Sequence, residues 1–575
     1  MIPIRAIDEL DAPMRVESCA VEYRLLLLIA LAATAVVAPM FFLGDASGHD
    51  FQFHVASWTD VAGQWHQGIV YPRWAEWANW GYGEPRFIFY PPASWILGAG
   101  LGVLLPWRAA PAVYIWLTLL ASGLAFWALA REYLSSNEAQ AAGVFFAVNP
   151  YNLALVYYRS DFAEMLAVAM LPLLVLGVLR VLRDGWRRVP LLAFALAGVW
   201  LSNAPAAVVA TYSVAVLLVT ASVTERTVRP LFAGGTAIAA GFALAAFYIL
   251  PAAFEQQWVQ IKEAVSPSLR PQQNFLFTHR ADPEFLLFNW KISGLALGTI
   301  LLAAILAVFV ARRRAEFPRV WRTLIALGSA SVFMMFPLSR TLWRFLPKLE
   351  FVQFPWRWLS SLAVVYAFFA GAALRGHRRR WILWMSIGVL VGGMATAMAF
   401  DTWWDTDDAI TIADWVHAGL GYEGTDEYAP IGTDRYELPG INSDSEQPPD
   451  RALPPAAEYD PASESIVPSP DFHVTVKRWT AEHRVLLTFT AKPIDVSLRL
   501  LSYPAWSAQI DHRAVPLSTV PGTGEILLPL PAGEHEIELE FQRTWDRTAG
   551  GLISIATALL LCGSLFLARR RTVSR

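Results

Sequence analysis

Apolar residues along this chain gather into runs near the length, about 20 residues, that a helix needs to cross the hydrocarbon core of a bilayer. Such runs fall at 24–43, 110–130, 139–157, 163–182, 189–202, 205–222, 231–251, 292–311, 320–337, 359–375, 381–400 and 549–568, with 189–202 the shortest. Between them Lys and Arg collect in RDGWRR (183–188), TERTVR (224–229), RRRAEFPR (312–319), RGHRRR (375–380) and the closing RRRTVSR. Basic loops stay in the cytoplasm, so about twelve spans would put all these clusters, and both termini, on the cytoplasmic face. One apolar piece breaks the pattern: YPPASWILGAGLGVLLPW (90–107) is cut by Pro91, Pro92 and Pro106. Counting it as a span would move RDGWRR to the wrong side, so it is read as a re-entrant or interfacial segment on the outer face. The first run exceeds a signal-peptide core and follows a tail at 1–23, which favours an uncleaved first helix.

The outward loops are then 44–109, 158–162, 252–291 and 338–358, all within a transmembrane unit at 24–400. Beyond it the pattern changes. Residues 401–470 are acidic and rich in Pro and Gly, and read as an extracytoplasmic linker. Residues 471–548 alternate apolar and polar positions in DFHVTVKRW, RVLLTFTA, DVSLRLLSY, GEILLPL and HEIELEFQ, the period of strands half-buried in an antiparallel sheet. The expected architecture is a mainly α polytopic membrane protein with a small extracytoplasmic β-sandwich near its C-terminus. A last helix and basic tail at 549–575 tether that sandwich.

Composition sharpens this reading. Of 575 residues 55% are hydrophobic and 16% charged, with a formal net charge of −3. That balance suits a bilayer and offers no basic surface for nucleic acid. Its 25 Trp fit interfacial belts and sugar-stacking surfaces. The cysteines, Cys19 and Cys562, make neither a disulfide framework nor a metal cluster, and no cofactor is expected.

The chemistry sits in the outward loops, where charge stands beside aromatics. GHDFQFHVASW (48–58) follows the first helix and carries His49, Asp50 and His54, where a helix leaving the bilayer would ordinarily end in Trp, Tyr, Lys or Arg. The same loop continues through Arg73 and Tyr90. YYRSDFAEM (157–165) supplies Arg159, Asp161 and Glu164; ILPAAFEQQW (249–258) supplies Glu255; LPKLEFVQFPWRW (346–358) supplies Trp356 and Arg357; GLGYEGTDEYAP (419–430) supplies Glu427. Ionisable groups at a membrane boundary point to function, and these share one face. Arginines suit phosphate, aromatic faces suit sugar rings, and a carboxylate can act as general base on a hydroxyl. The sum is transfer of a group from a lipid phosphate to an acceptor. A lipid or glycan transporter, or a non-catalytic binder of lipid-linked sugars in an envelope assembly complex, would line a cavity in the same way, but a transporter favours ionisable residues within helix interiors, which here hold few.

An acidic residue after the first helix, then GIVYPRW, GYGEPRFIFYPP, NPY, YRSDFAE, FYILPA and QFPWRW, form an ordered series across about residues 25–430. This series resembles a family of bacterial polytopic membrane proteins related to 6-pyruvoyl-tetrahydropterin synthase, itself similar to the GT-C glycosyltransferases. The stretch SYPAWSAQIDHRAV…LPAGEHEIELEF resembles the outer β-domain of related enzymes that glycosylate cell-wall polymers. The resemblance implies a polyprenyl-phosphate sugar donor, a glycan, lipid or protein acceptor in the cell envelope, and an inverting single displacement at the outer face of the bacterial inner membrane. Asp50 holds the position of the family's acidic residue and would be the general base, with Asp161 or Glu164 as the second acidic residue. Arg159, Arg357 and Arg73 would meet the phosphate. His49, His54, Tyr90, Glu255, Trp356 and Glu427 complete the expected substrate-binding set, and no metal ligand set is expected.

Overall fold

A computed structural model describes residues 11–375, 380–441, 447–467 and 469–573. Six helical stretches in it are long and apolar enough to cross a membrane: Tyr23–Leu43, Trp107–Ala130, Phe162–Ser202, Ala204–Glu225, Pro283–Arg313 and Trp545–Leu567. Two bent pairs raise the number to eight if each is one span, Arg229–Leu244 with Ala246–Trp258 at 76° and Pro318–Met335 with Pro337–Phe345 at 90°. The expected twelve are therefore not all present as separate long spans, for local reasons. The runs 163–182 and 189–202 form one stretch, Phe162–Ser202, which folds back on itself at Gly185 (φ 65°). The run 139–157 divides into Ser136–Ala147 and Pro150–Ala154, because Pro150 has no N–H to give the preceding turn and Asn149 caps a new helix there. The run 359–375 is a helix of 14 residues, Leu359–Ala372, buried along its whole length. The Pro-broken piece at 90–107 forms the helix Pro92–Leu104, at 13 residues too short to cross.

Close packing among these helices uses small residues, as it must where lipid competes with every apolar side chain. A Cβ on Gly143 would stand 2.8 Å from the carbonyl oxygen of Gly123, and one on Gly371 2.6 Å from that of Glu138. After the first long helix the chain makes a two-residue strand, Asp45–Ala46, antiparallel to Trp404–Asp405. It then enters the buried helix Phe51–His66. The acidic stretch expected to be a linker is itself packed: the helix Asp408–His417 buries Ala409, Ile412, Ala413 and Val416 and lies against Phe51–His66.

The C-terminal region is two antiparallel five-stranded sheets. Each of the alternating segments forms a strand: Phe472–Trp479, His483–Thr490, Ile494–Leu501, Glu525–Leu530 and Gly533–Phe541. The sheets begin earlier than the alternation suggested, at Ala456–Asp460, which pairs with Ile494–Leu501. Its residues AAEYD carry no clear period of two, and the strands Arg513–Val515 and Ser518–Thr519 are too brief for one, whereas Trp506–Ile510 (WSAQI) alternates and buries every second residue. The sandwich core runs directly into the loop after the first helix: Trp74 packs edge-on against Trp506 at 5.5 Å and tilted against Phe541 at 5.6 Å.

One buried charge pair joins the sandwich and last helix to the bent membrane pair. Glu255, ending the helix Ala246–Glu255, takes two 2.7 Å hydrogen bonds from Arg547 Nε and Nη2 and a third, also 2.7 Å, from the Tyr503 hydroxyl. Glu255 is 0% exposed and Arg547 3%. Removing one partner of such a pair strands the other charge out of water, at about 3–5 kcal/mol. Glu255→Leu is expected to lower the thermal unfolding midpoint of the detergent-solubilised protein strongly, and Glu255→Leu with Arg547→Met to recover a large part of the loss. A double variant no more stable than the single would show that the pair contributes net attraction.

Candidate active site

Local structure explains how two distant loops meet. The chain before Asp161 makes a π-helical turn, Leu155–Arg159, and Ser160 follows in the left-handed region at φ 50°. Such wide turns re-aim side chains and recur at functional sites. The backbone at Gly48 lies against this turn so tightly that a Cβ there would stand 2.7 Å from Arg159 C and Tyr158 O. Asp50 N–H donates to Arg159 O at 2.9 Å, and Gly48 N–H to Ser160 Oγ at 3.1 Å. Glycine is required here by space, not by dihedral freedom.

The side chains then form a ladder of alternating charge. Asp50 Oδ2 accepts from Arg159 Nε at 3.1 Å and also from Arg159 Nη2. Arg159 Nη2 is 3.9 Å from Asp161 Oδ2, and Arg357 Nη2 approaches the same oxygen at 3.4 Å. Arg357 Nε lies 2.9 Å from Glu164 Oε2, in ionic contact but misaligned for a hydrogen bond. Glu164 Oε1 accepts from the Tyr151 hydroxyl. Asp161 also caps the helix Phe162–Asp184, accepting from Glu164 N–H at 2.9 Å, and His54 Nε2 stands 3.7 Å from its other face. Burial opposes ionisation of Asp161, yet the His54 ring, Arg357 and Arg159 together hold it below the usual carboxylate range. Burial, with Arg159 adding to it, holds His49 below its ordinary value, and its ring meets Phe288 edge-on at 4.9 Å.

The ladder faces a cavity of about 730 Å³. Of the residues expected from sequence, His49, Asp50, His54, Tyr90, Arg159, Asp161, Trp356, Arg357 and Glu427 line it. Glu164 lies one step behind, holding Arg357. The other two are elsewhere: Glu255 is consumed by Arg547, and Arg73 lies over the Tyr71 ring at 4.3 Å. Asp50 keeps its side chain 31% exposed while Arg159 is 8% exposed, so the carboxylate opens on the cavity and the cation stands behind it. No hydrogen bond among the described residues occupies Asp50 Oδ1. Glu427, also in the wall, is half-buried beside Tyr428, and burial raises its carboxyl to about 7. Much of the remaining wall is apolar, including Trp200, Val208, Phe242 and Ile249, and it also carries the uncharged polar Asn203, Gln256, Asn274, Asn289, Gln353 and Thr425 and the cation Lys348.

Sequence reasoning passed over Tyr151 and Lys348. NPY reads as a helix kink, which it is, since Asn149 Oδ1 accepts from Tyr151 and Asn152 N–H. That Tyr151 reaches Glu164 depends on how two helices pack. Among the described residues, no three His, Cys, Asp or Glu side chains are gathered to hold a metal ion.

The loop carrying Asp50 is anchored by the strand pair Asp45–Ala46 and Trp404–Asp405, with Ser47 Oγ donating to Asp408 Oδ2 at 2.8 Å. Asp45 is buried there, and burial, with Asp408 and Asp405 nearby, pushes it up to about 7. Its folded value thus exceeds the unfolded one of 3.8, so the folded state binds the extra proton and stability falls as pH rises from about 4 to about 7. Thermal melts of the wild type are expected to drop across that window, and those of Asp45→Asn to drop less. Equal slopes for the two would remove Asp45 from the account.

Residues 87–405, more than half of the 575-residue chain, match the family model of the 6-pyruvoyl-tetrahydropterin synthase related domain, described as a membrane protein. No curated protein matches the chain. Among solved structures, the crystal structure of the Archaeoglobus fulgidus oligosaccharyltransferase in the apo form aligns with a TM-score of 0.41 and 13% identity. The alignment covers 66% of this chain and 56% of that one, so the chain spans a little over half the length of that neighbour.

Proposed function

We propose that this chain, which belongs to the 6-pyruvoyl-tetrahydropterin synthase related family of membrane proteins, is a membrane glycosyltransferase that moves a sugar from a polyprenyl-phosphate donor to an acceptor hydroxyl in the cell envelope. The observation that carries this reading is the convergence of Asp50, Arg159, Asp161 and Arg357 on one cavity whose remaining wall is largely aromatic and aliphatic. Such a space suits a substrate that is part lipid, part anion and part sugar.

In this reading the acceptor oxygen attacks the anomeric carbon as the bond from that carbon to the phosphate oxygen breaks. The bonding electron pair leaves on the phosphate, and the hydroxyl proton passes to Asp50 Oδ1. One displacement inverts the anomeric centre. Arg159 holds Asp50 through Oδ2, which directs the free oxygen into the cavity. A carboxylate suffices as base, because the leaving phosphate is already a stable anion and the proton becomes acidic as the new bond forms. Arg159 spends Nε and Nη2 on Asp50, leaving Nη1 hydrogens to orient the phosphate. Tyr90, which meets the Phe53 ring at 4.7 Å, with Tyr428 and Glu427, would form the floor for the sugar. The site would face the outer side of the inner membrane, with the sandwich on that side.

Asp50→Asn keeps size and one oxygen but accepts a proton poorly. In a deletion strain carrying this variant at wild-type abundance, an envelope glycan is expected to lose one sugar and its polyprenyl-linked precursor to accumulate, seen by mass spectrometry. With isolated membranes the transfer rate should drop by about 10²–10⁴. A variant that restores the glycan in full would end the base assignment and turn attention to transport or binding.

A further inference from the structure

Within that glycosyltransferase reading, we infer that Lys348 supplies the counter-charge for the donor's phosphate, and that the cavity is built for a lipid bearing one phosphate rather than two. The other cations of the wall are already paired. Arg159 faces Asp50 and Asp161, and Arg357 faces Asp161 and Glu164. The two guanidiniums are thus matched by Asp50 and Asp161, with Glu164 also against Arg357 and His54 beside Asp161. They can offer hydrogen bonds to a phosphate but no spare positive charge. Lys348 differs. Its Nζ meets only a neutral acceptor, Gln256 Oε1 at 3.0 Å, and lies 4.8 Å from the Phe351 ring centroid. Among the described residues lining the cavity it is the cation without an anionic partner.

Backbone geometry shows that this position is built. Lys348 sits at φ 61° and Gln353 at φ 63°, ψ −54°, on either side of the turn Leu349–Val352. Neither is glycine, and side-chain-bearing residues avoid that region unless the surroundings hold them there. Here they do: Leu349 and Val352 are fully buried, and Gln353 Nε2 donates to Ala264 O at 2.7 Å. The turn carries Phe351, Gln353 and Phe354 into the cavity wall, and Arg159 lies over the Phe354 ring at 5.1 Å, which joins the lysine's wall to the ladder.

A single phosphodiester anion then meets one uncommitted cation and several N–H donors. A second phosphate would enter a space already edged by Asp50 and Asp161, with no further uncommitted cation among the described lining residues to meet it.

The test is a binding measurement on the full-length protein in lipid nanodiscs, with polyprenyl phosphate, polyprenyl diphosphate and polyprenol of one chain length as probes. The wild type is expected to prefer the monophosphate over both others. Lys348→Gln should lose about tenfold in affinity for the monophosphate, the weight of one charge-assisted contact, with polyprenol binding unchanged. Lys348→Arg should retain most of it. Unchanged monophosphate binding in Lys348→Gln overturns the assignment while leaving the glycosyltransferase reading intact. A diphosphate bound as tightly as the monophosphate overturns the single-phosphate claim. Equal competition by phosphatidylglycerol makes Lys348 an anchor to the bilayer surface and overturns the assignment. A wild type blind to the phosphate, binding polyprenol as well as its phosphate, brings down the glycosyltransferase reading itself.

Discussion

Arg159 stands between Asp50 and Asp161, and Arg357 between Asp161 and Glu164, all at or near the edge of an apolar helix bundle. Ions taken out of water are tolerated only when opposite charges and hydrogen bonds replace the solvent. That requirement joins three segments far apart in the chain: the start of the helix Phe51–His66, the turn Leu155–Arg159 with the helix after it, and the turn Pro355–Trp358. Each segment brings at least one charge that needs the others. The close approach at Gly48, the left-handed Ser160 and the cap formed by Asp161 all serve to bring these groups together.

The cavity follows from how the helices around the ladder are broken. A continuous bundle packed by small residues leaves little space. Here the bent pair Arg229–Leu244 and Ala246–Trp258 and the short turns around Lys348 open one. The helix Ala246–Glu255 carries both sides of the design. Tyr248, Ile249, Ala252 and Ala253 line the cavity, whereas Glu255, at the helix's last position, is locked by Arg547 and Tyr503. The sandwich and the last helix thus hold the end of a helix that lines the cavity, which gives the C-terminal region a mechanical part in the site.

Much of this was legible in the residues. Alternation predicted the five longer strands, because a sheet with one buried face writes its period of two into the chain. Asp50, Arg159, Asp161 and Arg357 were legible as a group because charge beside a membrane span is costly and rarely idle. Arg73 and Glu255 drew attention for the same reason, and their placement beside Tyr71 and Arg547 could not be told from theirs. No sequence feature marked Lys348. Only a left-handed turn held by buried neighbours sets it apart, and no local pattern announces that turn.

Hydropathy, basic loops and strand periodicity therefore determined by themselves that this is a membrane protein with apolar helices and a C-terminal β-region, because burial in lipid or in a sheet core acts on every residue of a segment. The tertiary structure decided how many runs are single long helices, which charges pair with which, and which cation is left over. Those outcomes depend on contacts between residues one hundred or more positions apart, such as Asp50 with Arg159 and Asp161 with Arg357. Pairing at that range is set by the packing of whole helices, and a one-dimensional pattern does not carry it.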